Sequence, residues 1–431
     1  MSGVDAINST QQMEMEPSAR AIRSRKRWWL LPAAVALAFA LLQGIGGPRI
    51  TFGGDSESYA LISLRLYGTP EAQARQEIAY ATCLDKARSV EWGSAVDPLH
   101  FRTPGSSQDL RRACATQQVQ APTARSLRYE AIFNGRVGYP LLAGLPIKLF
   151  GISHGLWVTS VAVTALGGFL VAVLLAEAGL GTAALLAGEL IFLLGPLGRW
   201  GVYPLAEGAL NTAVVATLLG AWWLLQRRLL LGGTVCLLGL AAVVTVKYSG
   251  GTLMAACLAG AGVGCMVTVR RYRHAGSAIL AVGGAFLAAG VWLLSSALGL
   301  PGLSETLQDT FTRHFHHRPV DGVWGLLAQL EVVCWREWLR LQASAPALLL
   351  AAALGLWLLF RRRPALGWLA VAAAGLGLST IVAHPLVYEA DRLGALMWMP
   401  AVLGLPFLLD GVLRTEHSET PHPPEGGALC R

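Results

Sequence analysis

Charged side chains are scarce in this sequence, and the short motifs of many soluble enzymes are missing from it. Only 14% of the 431 residues are Asp, Glu, Lys or Arg, whereas soluble chains average about 25%. It contains no P-loop, dinucleotide-binding fingerprint, protein-kinase motif set or HExxH segment, which argues against ATP-driven transport and zincin protease chemistry. The seven cysteines form no CxxC pair and no zinc-ligand spacing. The chain is therefore not an ordinary soluble domain.

Long apolar runs dominate the sequence instead. Hydrophobic residues make up 54% of the chain, and many lie in runs close to the ~20 residues that cross the hydrocarbon core as a helix. We predict an all-α polytopic membrane protein with about ten transmembrane helices. The predicted runs are Trp28–Ile45, Ile152–Ala176, Thr182–Leu197, Tyr203–Leu225, Leu229–Val246, Gly251–Val269, Ser277–Leu298, Ala343–Phe360, Ala365–Ala383 and Leu393–Leu413. No internal repeat at a fixed spacing is visible, which disfavours a transporter built from inverted repeats.

The first apolar run has two interpretations. The basic segment Arg23–Arg27 precedes it, and Ala38–Ala40 resembles a signal-peptidase cleavage site. The run continues beyond that site, so we favour an uncleaved transmembrane helix. Trp28 and Trp29 would then lie at the membrane interface, where aromatic residues are enriched.

The basic residues predict the orientation of the helices. Their compact clusters all fall in alternate loops, which places these loops in the cytoplasm by the positive-inside rule. The clusters are Arg227–Arg228, Arg270–Arg273 and Arg361–Arg363. The net charge of +8 (34 basic minus 26 acidic residues) is therefore explained by topology and not by a nucleic-acid partner.

This orientation divides the chain into a membrane domain and two tails. We predict a cytoplasmic N-terminus and C-terminus, with disordered tails at 1–27 and 414–431 and a membrane domain at 28–413. Loops 47–151 and 299–342 then lie outside the cytoplasm, and the long first loop is expected to contain short helices. Ser58–Leu66 has the composition of one amphipathic helix at the interface.

The segment Gly53–Tyr59 follows the first apolar run and carries the leading candidate for chemistry. Two glycines allow close approach of a ligand to the backbone, and Asp55 next to them could act as a general base for a hydroxyl group. Glu57 would not share the face of Asp55 on a helix. Farther along the same loop, Cys83 and Cys114 could form a disulfide outside the cytoplasm, or both could be free thiols.

Other polar residues on the predicted outer side have weaker support. Arg136 could bind a phosphate at headgroup depth or anchor a helix end. Glu207 and Glu189 lie within apolar runs, where an ionisable residue suggests function. Three histidines of the second outer loop, His314, His316 and His317, could bind a metal ion, although an aqueous loop is the simpler explanation and their arginine neighbours would repel a cation.

Several short motifs, in this order and on one predicted side, resemble the GT-C glycosyltransferases. They are Asp55 soon after the first helix, the return Arg136–Leu142, the Pro-x-x-Glu helix opening at Pro204–Glu207, the basic turn Thr245–Gly250 and the last outer turn His384–Arg392. The nearest branch is the bacterial protein mannosyltransferase-like proteins that depend on polyprenyl-phosphate-mannose.

The resemblance implies a sugar donor linked to polyprenyl phosphate and a site on the extracytoplasmic face of a bacterial plasma membrane. Asp55 would be the general base, and three cations would bind the donor phosphate: Arg136, Lys247 and Arg392. Substrate-binding roles are expected for Glu57, Tyr59, Tyr139, Glu207, His384 and Tyr388. The acceptor, a protein, lipid or glycan, stays open, as does assistance by Mg²⁺ or Mn²⁺; no protein metal site is predicted.

Two other functions remain as alternatives. One is a transporter or flippase for a lipid or polar solute, and the other is a non-catalytic membrane protein that keeps the GT-C fold. Transport predicts functional polar residues near the middle of the membrane. Here they concentrate at one predicted interface, with Glu189 as the main exception, so we favour the enzyme.

Overall fold

The computed structural model describes residues 28–46, 52–97, 99, 107–116 and 126–418. The predicted disordered tail 1–27 and residues 419–431 of the C-terminal tail lie outside the described residues. The first half of the described chain contains α1 (Leu30–Gly46), α2 (Asp55–Leu66), α3 (Glu71–Val96), α4 (Ser107–Thr116), α5 (Leu127–Asn134), α6 (Gly138–Phe150), α7 (Ile152–Glu177), α8 (Thr182–Leu194) and α9 (Pro196–Gly201). The second half contains α10 (Glu207–Leu225), α11 (Leu229–Val246), α12 (Tyr248–Thr268), α13 (Ala275–Ala297), α14 (Leu303–Phe311), α15 (Val323–Ser344), α16 (Ala347–Arg362), α17 (Pro364–Val382), α18 (Val387–Leu393) and α19 (Ala395–Leu413).

The described residues contain helices and no strand, as the long apolar runs predict. Seven helices are long and apolar enough to cross a membrane, and each corresponds to one of the ten predicted runs: α7, α10, α11, α12, α13, α17 and α19. The other three runs form shorter elements. Helices α1 and α8 are apolar but have 17 and 13 residues, and α16 follows α15 across a bend of 93°.

Helix α10 lies at the centre of the bundle. Its side chains Val214, Leu218 and Trp222 recur at helical spacing and are buried, and the helix packs against α7 and α11. By contrast, α13 leaves Phe286 and Trp292 largely exposed. Exposed apolar side chains of this kind are expected to face lipid. A helix tolerates that environment because its backbone polar groups form hydrogen bonds within the helix.

The first loop forms a layer of helices at one end of the bundle. Four of them are short, as predicted, but α3 has 26 residues. Helix α2 begins at Asp55, three residues before the predicted amphipathic segment Ser58–Leu66. Its buried residues Tyr59, Ala60 and Leu64 join a separate hydrophobic cluster with residues of α5 and α6. The helix is therefore packed on both α3 and α6 and does not lie alone on the interface.

The final helical segment, Pro406–Ser418, continues past the predicted boundary of the membrane domain at residue 413. Residues 414–418 are thus helical and not part of a disordered tail. Apolar residues of this segment contact the bundle, and the polar residues that follow extend the same helix.

The structure joins Cys83 of α3 and Cys114 of α4 in a disulfide, as predicted for an extracytoplasmic loop. Replacement of both residues by Ser should destabilise the α3–α4 pair by about 3–4 kcal/mol, because the bridge closes a long loop in the unfolded chain. The measurement is the rate of limited proteolysis within α4, followed by mass spectrometry, with Cys257→Ser as the control. An unchanged rate of cleavage in the double variant would contradict this role.

Candidate active site

One cavity of about 360 Å³ lies where the loop helices meet the membrane helices. Eight of the ten residues predicted to act in catalysis or substrate binding line it: Asp55, Tyr59, Arg136, Glu207, Lys247, His384, Tyr388 and Arg392. These residues come from five separate parts of the sequence. Their roles stay predictions, but the structure brings them together.

The cavity lies at the end of the bundle opposite the basic clusters. Helix α10 runs from Glu207 in the cavity to the turn that contains Arg227 and Arg228, and α11 returns from that turn to Lys247. Helix α17 likewise runs from the Arg361–Arg363 cluster toward His384. This is the end of the bundle that the positive-inside rule predicts to be extracytoplasmic.

The backbone before α2 explains how Asp55 enters the cavity. Gly54 has φ of 57°, a left-handed conformation that glycine adopts without the steric penalty of a Cβ. The amide N–H of Phe52 donates a hydrogen bond of 2.5 Å to Oδ2 of Asp85 in α3. This carboxylate therefore anchors the start of the turn, a long-range contact that the sequence did not indicate.

Asp55 is surrounded by groups that favour its ionised form. The hydroxyl of Tyr129 donates a hydrogen bond of 3.1 Å to its Oδ1, and Nη1 of Arg392 lies 3.9 Å from its Oδ2. Burial opposes ionisation, but Arg392, Arg136 and the Tyr129 hydroxyl outweigh it, so the pKa of Asp55 lies below its ordinary value. A carboxylate in this state can accept a proton from a substrate hydroxyl group.

Arg392 contacts three carboxylates at once. Its guanidinium lies 3.3 Å from Glu389, 3.6 Å from Glu207 and 3.9 Å from Asp55. Burial disfavours its charge, yet Glu207, Asp55 and Glu389 together raise the pKa of Arg392 above the ordinary value. Arg392 thus binds the carboxylates on the acidic side of the cavity. These contacts differ from its predicted role of binding the donor phosphate.

Arg136 and Lys247 form the basic side of the cavity. Among the described residues neither forms an ion pair with a carboxylate, and the Nε of Arg136 is buried without a hydrogen-bond partner. The Arg136 guanidinium lies 4.8 Å from the ring centre of Phe133. Burial, followed by the charge of Arg136, lowers the pKa of Lys247 to about 8. Arg136 also hydrogen-bonds Tyr59, and the charges of Asp55 and Glu207 act on the pair. Because no carboxylate of the described residues lies within ion-pair distance of either cation, the two together provide a site for an anion.

Two glycines place Arg136 close to Lys247. A Cβ on Gly138 would collide with Thr245 at the end of α11, and one on Gly135 would press against the ring of Tyr248. Glycine at these positions allows the turn before α6 to approach the junction of α11 and α12. The spacing Gly-Arg-x-Gly is therefore explained by close packing around a functional candidate.

His384 lines the cavity as a neutral imidazole. Burial lowers its pKa to about 3, and the charges of Lys247 and Arg136 act in the same direction. Its Nδ1 lies 3.4 Å from the carbonyl oxygen of Thr380, which leaves the other ring nitrogen as an acceptor for a hydroxyl group.

Two predicted substrate-binding residues do not line the cavity. Glu57 lies on another face of α2 and accepts a hydrogen bond of 3.1 Å from Thr82, because a separation of two residues turns a side chain away on a helix. Tyr139 is fully buried; its hydroxyl donates to the carbonyl of Leu156, and its ring packs edge-on against Tyr59. Tyr139 therefore supports Tyr59 from behind, whereas Glu57 is turned toward α3.

The structure adds residues that sequence reasoning did not assign to the site. Tyr129, Asp309, His314 and Glu389 all line the cavity. His314 was noticed only as a candidate metal ligand; in the structure its Nδ1 lies 3.2 Å from Oδ1 of Asp309. Within the described residues no three His, Cys, Asp or Glu side chains come together as a metal site.

Comparison of the chain with protein-family models, with curated proteins and with solved structures finds no match.

Proposed function

We propose that the protein is an integral-membrane glycosyltransferase that transfers a sugar from a polyprenyl-phosphate donor to an extracytoplasmic acceptor. The observation that carries this proposal is one cavity in which an ionised carboxylate, Asp55, lies near two cations that lack carboxylate partners, Arg136 and Lys247. A base on one side and a phosphate site on the other are the two requirements of this reaction. The GT-C resemblance supplies the class of donor.

Asp55, Arg136 and Lys247 have separate roles in the proposed reaction. Asp55 accepts the proton of the acceptor hydroxyl while the acceptor oxygen forms a bond to the anomeric carbon of the sugar. The bond from that carbon to the phosphate oxygen breaks, and its electron pair leaves with the polyprenyl phosphate. Arg136 and Lys247 stabilise the negative charge of this leaving group. Attack opposite the leaving group inverts the anomeric carbon, as the resemblance implies.

Arg392 acts in this scheme as the residue that positions Asp55. Its contacts with Asp55, Glu207 and Glu389 hold the carboxylate at the cavity surface. The resemblance leaves open a role for a divalent cation. However, the carboxylates that would bind such an ion already surround the Arg392 guanidinium, so no step is assigned to a metal.

Transport is the competing proposal. A transporter would need polar groups along a path through the middle of the membrane. Glu189 of α8 is buried, and neither of its carboxyl oxygens has a hydrogen-bond partner among the described residues, but it is a single group away from the cavity. The convergence of charged residues at one end of the bundle favours transfer.

The direct test is consumption of a donor by the purified protein in nanodiscs. Radiolabelled undecaprenyl-phosphate mannose, glucose and galactose are supplied separately, each with an extract of cell-envelope acceptors. The proposal expects at least one donor to be converted to undecaprenyl phosphate with its label moved to an acceptor. Binding of undecaprenyl phosphate without conversion of any donor would argue for a non-catalytic protein.

The pH dependence of phosphate binding tests the role of Lys247. Affinity for undecaprenyl phosphate should fall as pH rises through about 8, since Lys247 then loses its proton. The fall should approach about tenfold per pH unit if only the protonated form binds. Titrations between about pH 7 and pH 9 avoid ionisation of the phosphate itself, whose second pKa is about 6. Lys247→Arg should abolish the fall, and a decline identical to the wild type would contradict the assignment.

A further inference from the structure

The segment after α14 has an unusual backbone. Three consecutive residues, Arg313, His314 and Phe315, have φ values of 51°, 61° and 59°. This is a turn of left-handed helix, which places the Cβ of an L-residue close to the following carbonyl oxygen. Such conformations persist only where surrounding contacts hold them, and they cluster at functional sites.

Side chains on both sides hold this turn in place. Thr312 Oγ1 accepts a hydrogen bond of 3.0 Å from the N–H of Phe315, and Asp309 contacts Nδ1 of His314. Arg128 of α5 lies 4.5 Å above the ring of Phe315 and also forms an ion pair with Glu305 of α14. The second outer loop is thus fastened to the helix that carries Tyr129.

The turn places His314 beside Tyr129, the hydrogen-bond partner of Asp55. The ring centres of His314 and Tyr129 are 4.8 Å apart in an edge-on arrangement, and the Tyr129 hydroxyl donates to Asp55. Both rings line the cavity, and the side chain of His314 is 53% exposed, which places it at the mouth. His314 therefore reaches Asp55 through one intervening ring.

Given the proposed function, on which this step rests, we propose that His314 is a positioning residue for Asp55. Its imidazolium, held by Asp309 and the left-handed turn, packs Tyr129 against the carboxylate and favours the ionised form of Asp55. Transfer of the acceptor's proton to Asp55 thus depends on a residue of the second outer loop as well as on residues of the first outer loop.

The charges around His314 agree with this role. On its own segment it faces Asp309 and follows Arg313; from α2 it faces Asp55, from α5 Tyr129, and from α18 Glu389. The hydrogen bond to Asp309 is the largest influence, and Asp55 and Glu389 act in the same direction, so the pKa of His314 is raised. Its charge is then retained toward neutral pH and is lost as pH rises through this raised pKa.

An NMR titration of the histidine rings tests the coupling without any substrate. The full-length protein with ¹³C-labelled histidine is placed in nanodiscs, and the His314 signal is assigned as the one missing from His314→Gln. Coupling between two sites is reciprocal, so Asp55→Asn should lower the titration midpoint of His314 by about half a pH unit. Asp309→Asn should lower it further.

The result that overturns the proposal is a His314 midpoint that does not change in Asp55→Asn. Unchanged signals from His154 and His274, which do not line the cavity, would report that the variant is folded, so this result could not be assigned to misfolding. Where transfer is measurable, His314→Gln and His314→Phe should both move the acid limb of kcat to higher pH, and His317→Gln should not. A protein that transfers no sugar yet shows the NMR coupling would refute the proposed function alone.

Discussion

Asp55→Asn should lower the rate of sugar transfer by about 10²- to 10⁴-fold, the range that a general base contributes. The amide cannot accept the acceptor proton, whereas its oxygen can still receive the hydrogen bond from Tyr129. Arg392 keeps Glu207 and Glu389 as partners, so the cavity should keep its shape. Transfer of label from the active donor to the acceptor, measured as kcat, gives the comparison.

Glu57→Gln is the matched control for this change. Glu57 is on the same helix, two residues after Asp55, and its carboxylate accepts a hydrogen bond from Thr82 outside the cavity. We expect its kcat to remain within about threefold of the wild type, as for a substitution away from the reacting groups. Wild-type transfer in Asp55→Asn, or equal losses in the two variants, would remove Asp55 from the role of base.

Removal of both unpaired cations should have the largest effect on binding. Arg136→Gln combined with Lys247→Gln should weaken the affinity for undecaprenyl phosphate by about 100- to 1000-fold, since truncation of a buried partner of a charge pair costs 2–5 kcal/mol. Arg199→Gln is the control, because this exposed arginine is predicted to lie on the same side of the membrane but does not line the cavity.

A third substitution separates the two sides of the cavity. Arg392→Gln should greatly reduce transfer by releasing Asp55, Glu207 and Glu389, while the loss in affinity for undecaprenyl phosphate should be smaller than that of the Arg136 and Lys247 double variant. An equal loss of affinity would indicate that Arg392 binds the phosphate, as the resemblance implies. Unchanged binding in the double variant would show that the phosphate is held elsewhere.

The apolar runs made the helices predictable, because a run of about 20 apolar residues has few other stable states in a membrane. Seven runs became helices of spanning length. Residues 299–342 were predicted to be an outer loop, but most of them form α14 and α15. Charged residues such as Arg336 and Glu337 interrupt the apolar pattern of α15, so neither this helix nor the 93° bend before α16 was predicted. The length of α8 was likewise set by Gly195, where the chain leaves the helix.

The candidate site was predictable only where its residues lie in short local motifs. Asp55 follows two glycines, and Arg136 lies between glycines whose role in close packing is visible in the structure. Contacts between distant segments had no such pattern. The hydrogen bond from Phe52 to Asp85 and the packing of His314 on Tyr129 depend on how the loops fold back, and no local pattern in the sequence indicates that arrangement.

The central claim is transfer of a sugar, and proteoliposomes allow it to be separated from transport. Protein is reconstituted with the donor that is active in nanodiscs, radiolabelled in its sugar, and a water-soluble acceptor extract is added outside. Two quantities are followed together: label joined to the acceptor and label on intact donor that has crossed to the other leaflet. The account predicts label on the acceptor for the wild type, little for Asp55→Asn, and no protein-dependent crossing of intact donor. Movement of intact donor between leaflets without transfer, at equal rates in both proteins, would contradict it.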